Sequence, residues 1–238
     1  MYDAPAGERI GEIWFVGAPD APLLAKYLFT SERLSVQVHP DDEQALRRGL
    51  PHGKSECWYI LAAEPGATIG LGLRRELTDE ELRSAALDGS ILEEMDWRPV
   101  RPGDFLYVPP GTIHAIGAGI SLLEFQQNSD VTYRLYDYDR PRELHLDDAV
   151  AVSRRRPYPD EFAQHVGDGD EVMLVDGPDF VLLHCHGDRL RDRKRWILPL
   201  SGSVRCKDEA AGPGQCLLLE SGEPLETKDA RLLIGAEA

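Results

Sequence analysis

The chain has 238 residues, 42% hydrophobic and 29% charged, enough to bury one large core or two small ones. Its net charge of −16, from 42 acidic against 26 basic residues, argues against a nucleic-acid partner, because phosphate backbones require a basic footprint. No apolar run approaches the length of a membrane span, residues 1–15 show no basic start followed by an apolar block, and Cys57, Cys185, Cys206 and Cys216 form no C-x-x-C pair. These features predict a reduced, cytoplasmic protein without a membrane partner.

Short apolar or alternating runs separated by Gly, Pro and Asp dominate the chain. In order they are LSVQV, CWYILA, DFLYVP, SLLEFQQ, VMLVD, FVLLHCH and RWILPLSG, and their spacing predicts antiparallel strands in a sandwich or barrel. One segment breaks the rhythm. Thr78 with Glu81 three residues on forms a capping box, and Leu82, Ala85 and Ala86 follow at helical spacing. This predicts a helix over 78–87 and a short second one over 91–96. Residues 153–170 are polar and turn-rich, with Arg154, Arg155 and Arg156 in a basic run. They read as a solvated linker between two β domains, 1–152 and 168–238.

Three segments carry chemistry. In SVQVHPDD, Gln37 and His39 stand at i and i+2 of a strand and so share a face. The pair alone leaves metal ligands and ordinary polar strand residues both open. Residues 103–114, GDFLYVPPGTIH, spell G-x5-P-x-G-x2-H, the second metal motif of cupins. In it a strand runs into a Pro-Pro-Gly turn and the next strand begins with His114 facing inward. In KSECWY, Lys54, Glu56 and Trp58 share one strand face. A lone buried charge is costly, so this pattern implies a polar cavity on that side, with a surface ion pair as the alternative. Gln37, His39, Glu56 and His114 together supply an amide oxygen, two imidazoles and a carboxylate. That set suits Zn2+, although Mn, Fe, Co and Ni also accept N and O donors. The loaded site would carry about one positive charge and act as an electrophile toward a substrate oxygen.

The motifs SVQVHPDD, GKSECWYI, PGDFLYVPPGTIHA and EFQQNSDVTYRLYDYDRPRELH, in that order, resemble the type I mannose-6-phosphate isomerases, in particular their short bacterial form. The resemblance is dense from about Leu23 to His145 and weaker in GEIWFVGAP. It implies a mainly β fold of two cupin-type jelly-roll barrels with a small helical insertion. It also implies one zinc ion per chain on Gln37, His39, Glu56 and His114, and an active-site arginine at Arg134. Further roles in catalysis or substrate binding are implied for Lys54, Asp130, Ser35 and Lys26. The implied activity interconverts mannose 6-phosphate and fructose 6-phosphate, with Arg134 stabilising an enediolate and either Lys54 or Asp130 moving the proton. Isomerisation of another sugar or sugar phosphate, and non-catalytic sugar-phosphate sensing, are the rival readings. Relatives of the short form carry more residues before GEIWF and between it and LLAKYL, segments that help wall the barrel mouth, which bears on sugar scope.

The tail repeats the barrel grammar in damaged form. After Gly214, Glu220 stands where proline is expected, Gly222 follows, and Leu225 takes the place that corresponds to His114. A second cupin without a metal is expected there. His184 and His186 form another i, i+2 pair, with neither a carboxylate nor a downstream histidine in register. His52 and His165 belong to no motif and are expected to be exposed, and no role attaches to His145.

Overall fold

The structure, a computed structural model, describes residues 9–17 and 21–238. Part of the stretch read for a secretory signal, residues 1–8, lies outside the described residues. The chain divides into two compact units, Leu28–Gln164 and the remaining residues on either side of it. The strands β1 (Glu12–Phe15) and β2 (Leu23–Thr30) open the chain.

The Leu28–Gln164 unit continues with β3 (Val36–Val38), α1 (Asp42–Leu46), β4 (Glu56–Ala63), β5 (Thr68–Leu73), α2 (Asp79–Asp88), α3 (Ile91–Glu94), β6 (Met95–Pro99), β7 (Asp104–Val108), β8 (His114–Ile116), β9 (Ile120–Gln127), β10 (Tyr133–Tyr136), α4 (Leu146–Val152) and β11 (Ala163–His165). One antiparallel sheet runs β10-β3-β8-β5-β6, and a second contains the neighbours β9-β4-β7. Trp58, Ile60, Ile69, Leu71, Leu106, Ile116 and Leu122, drawn from both sheets, form one buried cluster. A second cluster joins the first sheet to the helices: Val36, Val38 and Ala115 pack with Leu82, Ala86, Ile91 and Ala149. Strand alternation therefore decides the site. With Val36 and Val38 turned to the helices, Gln37 between them faces the barrel interior, and His114 and Ile116 do the same on either side of Ala115.

The helical insertion follows its capping signals. Thr78 Oγ1 accepts from the Glu81 N–H at 3.2 Å, Glu81 Oε2 accepts from the Thr78 N–H at 2.8 Å, and Gly89 ends α2 in the left-handed region. α3 is shorter than expected because Met95 already begins β6. Two helices have no counterpart in the sequence reading. α1 starts at a capping box of Asp41 and Gln44, and α4 buries Ala149, Val150 and Val152.

The first part of 153–170 is not the solvated linker expected. Tyr158 is buried and donates its hydroxyl hydrogen to the Tyr107 carbonyl at 2.6 Å. Pro157 bridges to Gly72, and Arg155 pairs with Asp79 at 2.9 Å. A tyrosine whose hydroxyl finds a carbonyl can bury its ring, so the segment lies against the barrel as a strap.

The carboxy-terminal part holds β12 (Val172–Asp176), β13 (Phe180–Cys185), β14 (Arg195–Cys206), β15 (Glu209–Ala211), β16 (Leu217–Leu219) and β17 (Glu226–Glu237). They form an antiparallel sheet in the order β12-β13-β17-β14-β15, with β16 on β14, around a core that includes Val181, Ile197, Val204, Leu217, Leu232 and Ile234. The four cysteines are all free thiols. Among the described residues no helix is long and apolar enough to cross a membrane.

Candidate metal centre

Gln37 stands directly opposite His114 across β3 and β8, and opposite Arg134 across β3 and β10. Directly opposed residues of antiparallel neighbours share a face with Cβ atoms about 5 Å apart, so Arg134, Gln37 and His114 form one row across three strands. The Pro-Pro-Gly turn fixes the end of that row. The Thr112 N–H donates to the Pro109 carbonyl at 3.2 Å, and Gly111 takes φ +84°, as the third position of a type II turn requires. The Gly111 N–H then donates to the His39 carbonyl at 2.8 Å, tying the turn to the other imidazole. Glu56 arrives from the facing sheet, at the start of β4.

His39, Glu56 and His114 are each at most 2% exposed. Glu56 Oε1 lies 3.6 Å from His39 Nε2 and 3.3 Å from His114 Nε2, and one ligand atom from each residue falls within 4.8 Å of the others. The tautomers follow from the outer partners. His39 Nδ1 is 2.7 Å from the Val131 carbonyl, and His114 Nδ1 is 2.9 Å from the Thr112 carbonyl. A carbonyl only accepts, so each Nδ1 carries the hydrogen and each neutral ring turns an Nε2 lone pair toward Glu56. Burial, helped by the Lys54 charge, lowers the His39 pKa to about 4, and burial lowers that of His114 as well. For Glu56, burial acts to raise the pKa, but the Lys54 ammonium beside it opposes this and the carboxyl is held well below its ordinary value. Two lone pairs and a buried carboxylate oxygen with no hydrogen-bond donor converge here. Such a set of acceptors fits a cation. Gln37 offers the fourth donor. Its amide nitrogen is 3.2 Å from His114 Nε2, its oxygen accepts from Ser35 Oγ at 3.2 Å, and rotating the amide by half a turn exchanges the two atoms.

Lys54 Nζ is 2.7 Å from Glu56 Oε2, 3.4 Å from His39 Nε2 and 3.7 Å from Glu124 Oε1. It is brought there by a close backbone approach. The Lys54 N–H donates to the Pro40 carbonyl at 3.0 Å, and a Cβ on Gly53 would sit 2.5 Å from that same oxygen. Glu124, 3% exposed, also accepts from Trp58 Nε1 at 3.0 Å. One lysine against two carboxylates leaves the buried cluster with net negative charge, which a divalent ion would reverse. Glu124 and its strand neighbour Gln126, which stands opposite Glu56, were not read from the sequence. The signal was present: Leu122, Glu124 and Gln126 alternate in SLLEFQQ just as Lys54, Glu56 and Trp58 do in KSECWY.

The other expected site residues are placed as follows. Ser35 is buried and bonded to Gln37, as above. Arg134 is half-buried, with its Nη1 donating to the Glu143 carbonyl at 2.6 Å. Asp130 is exposed, in the loop whose Val131 carbonyl holds His39. Lys26 belongs to the other unit, where its ammonium sits 4.4 Å from the centre of the Trp14 ring. His184 is buried against the Asp170 carbonyl at 2.7 Å, and His186 is exposed. Among the described residues the only gathered group of three or more His, Cys, Asp or Glu is His39, Glu56 and His114. Leu225 packs on the core of the carboxy-terminal sheet.

No protein-family model matches the chain. It is 47% identical over 151 residues to a mannose-6-phosphate isomerase of Bacillus subtilis (strain 168), an alignment covering 60% of this chain and 48% of that protein. The crystal structure of the mannose 6-phosphate isomerase from Bacillus subtilis superposes with a TM-score of 0.73 at 31% identity, over 94% of this chain and 77% of that one. The chain belongs to the mannose-6-phosphate isomerase family. It spans about half the length of the curated relatives it matches. A mannose 6-phosphate isomerase structure described as holo and zinc bound shares the fold at 16% identity, with a TM-score of 0.67 over 91% of this chain and 79% of that one. The mainly β, cupin-type fold expected from the family resemblance is the one found.

Proposed function

We propose that this chain is a zinc-dependent aldose–ketose isomerase interconverting mannose 6-phosphate and fructose 6-phosphate. The observation that carries the reading is the buried convergence of His39 Nε2, His114 Nε2 and Glu56 Oε1, with Lys54 inside the cluster and Arg134 in the same row. Gln37, His39, Glu56 and His114 would hold the ion, a nitrogen and oxygen donor set suited to zinc, and the zinc-bound relative of the same fold supports that choice. When bound, the ion supplies positive charge that polarises the substrate oxygens.

The chain's own groups do the rest. The proton would leave C2 and return to C1 through Lys54 acting as the neutral amine, the form that a cation held beside it would favour; Lys54 lies within the cluster whereas Asp130 stands exposed on its loop. Negative charge develops on the two neighbouring oxygens as the enediolate forms, and Arg134 presents a planar cation to it. Ser35, bonded to Gln37 in the same unit, is proposed to help bind the phosphorylated sugar. The free thiols of all four cysteines support a cytoplasmic location.

A coupled assay for fructose 6-phosphate, run on the zinc-loaded chain with mannose 6-phosphate, tests the reading. Metal-dependent turnover is expected. Turnover of other sugar phosphates alone would move the assignment to another substrate, and tight sugar-phosphate binding without any turnover would make the protein a sensor.

A further inference from the structure

The stretch Glu143–His145 ends the connection from β10 to α4, and the sequence gives it no role. In the structure it makes three hydrogen bonds to one residue, Arg134, while the His145 carbonyl accepts from the Ala149 N–H at 2.8 Å as α4 begins. The Arg134 N–H donates to His145 Nδ1 at 3.2 Å, the His145 N–H donates to the Arg134 carbonyl at 2.8 Å, and Arg134 Nη1 donates to the Glu143 carbonyl at 2.6 Å. β10 is the edge strand of its sheet, with β3 on one side. Both main-chain groups of Arg134 point away from β3 to His145, so the Arg134–Gln37 pair is of the non-hydrogen-bonded kind, in which opposed side chains stand closest. His145 thus supplies the neighbour that the edge lacks, at a single residue. The strand is otherwise irregular there, because the register to β3 shifts between Arg134 and Tyr136. Within this clamp the Arg134 Nε is buried and has no hydrogen-bond partner among the described residues.

We propose that His145 is a positioning residue for Arg134: its Nδ1 lone pair, together with the Glu143 carbonyl, sets the guanidinium in register with Gln37 and leaves the rest of the fork available to substrate oxygens. The inference rests on the isomerase reading for its effect on turnover. The role is specific to an acceptor at the Nδ1 position. An asparagine side chain places its oxygen near that point, whereas a glutamine reaches past it and a leucine offers nothing.

The test uses the full zinc-loaded chain and the substitutions His145→Asn, His145→Gln and His145→Leu, each made in the natural chain and in Arg134→Ala. In the natural chain His145→Leu and His145→Gln are expected to lower kcat by on the order of tenfold, with KM and zinc content little changed and His145→Asn close to the starting enzyme. In the Arg134→Ala background none of the three is expected to lower kcat further, because the residue they act through is gone. Equal losses for Asn and Gln, or the same fold-loss in both backgrounds, overturn the proposal. If the natural chain turns over no mannose 6-phosphate, the isomerase reading has failed, and the positioning claim is then decided by amide hydrogen exchange. The Arg134 N–H should exchange slowly in the natural chain and in His145→Asn and faster with Leu or Gln, and equal exchange in all four overturns it.

Discussion

Replacing Glu56 by Gln keeps the shape of the cluster and removes one charge from it. The main loss falls on Lys54, whose Nζ is 2.7 Å from Glu56 and 3.7 Å from Glu124 while its side chain is only 7% exposed. At an effective dielectric of about 20 those separations correspond to gross attractions of about 6 and about 4.5 kcal/mol. Breaking a buried pair from one side costs about 3–5 kcal/mol, because the remaining charge stays desolvated. Here Glu124 still faces the ammonium, which places the expected loss at the lower end, about 3 kcal/mol. Urea unfolding of chelator-treated protein, followed by tryptophan fluorescence, measures it. Glu56→Gln should lower the midpoint with an unchanged slope and should be more damaging than Glu124→Gln, which removes the longer of the two contacts. The same variant should bind zinc far more weakly, since its remaining donors are all neutral. If chelated Glu56→Gln unfolds within about 0.5 kcal/mol of the natural chain, below any broken buried pair, the cluster is not assembled as described.

His114→Ala should strip most of the metal seen by elemental analysis, while His184→Ala with His186→Ala should leave it in place; the reverse result would put the ion in the other sheet. Arg134→Ala should lower kcat by roughly 10²- to 10³-fold, the scale of losing one preorganised charge stabiliser, at unchanged zinc content, and Arg134→Lys should recover little. A rise in KM with kcat intact would make Arg134 a uniform binder instead. The metal-free protein should lose stability on acidification. Burial and the Lys54 charge lower the His39 pKa to about 4, so its contribution is complete above the unfolded value of about 6.5 and disappears as the pH falls toward 4, by on the order of 3 kcal/mol. Unfolding midpoints that stay flat across that window would refute the assignment of His39 as a buried neutral imidazole.

Much of the site was legible because its signals are local. Alternation put Gln37 and His39 on one face, Pro110 and Gly111 announced the turn before His114, and Thr78 with Glu81 marked the start of α2. Each depends on a few consecutive residues obeying a fixed period or a fixed dihedral, and that information is carried by the chain itself. Register between strands distant in sequence is not carried that way. Only the assembled sheets set Glu124 beside Lys54, stood Gln126 opposite Glu56 and aligned Arg134 with Gln37. The strap at Tyr158 and the 12-residue β17 are of the same kind, since a polar stretch becomes ordered when a distant carbonyl or strand edge receives it. A strand's sequence says which side chains share a face. Which face they meet, and at what distance, is settled by packing on both sides of the sheet.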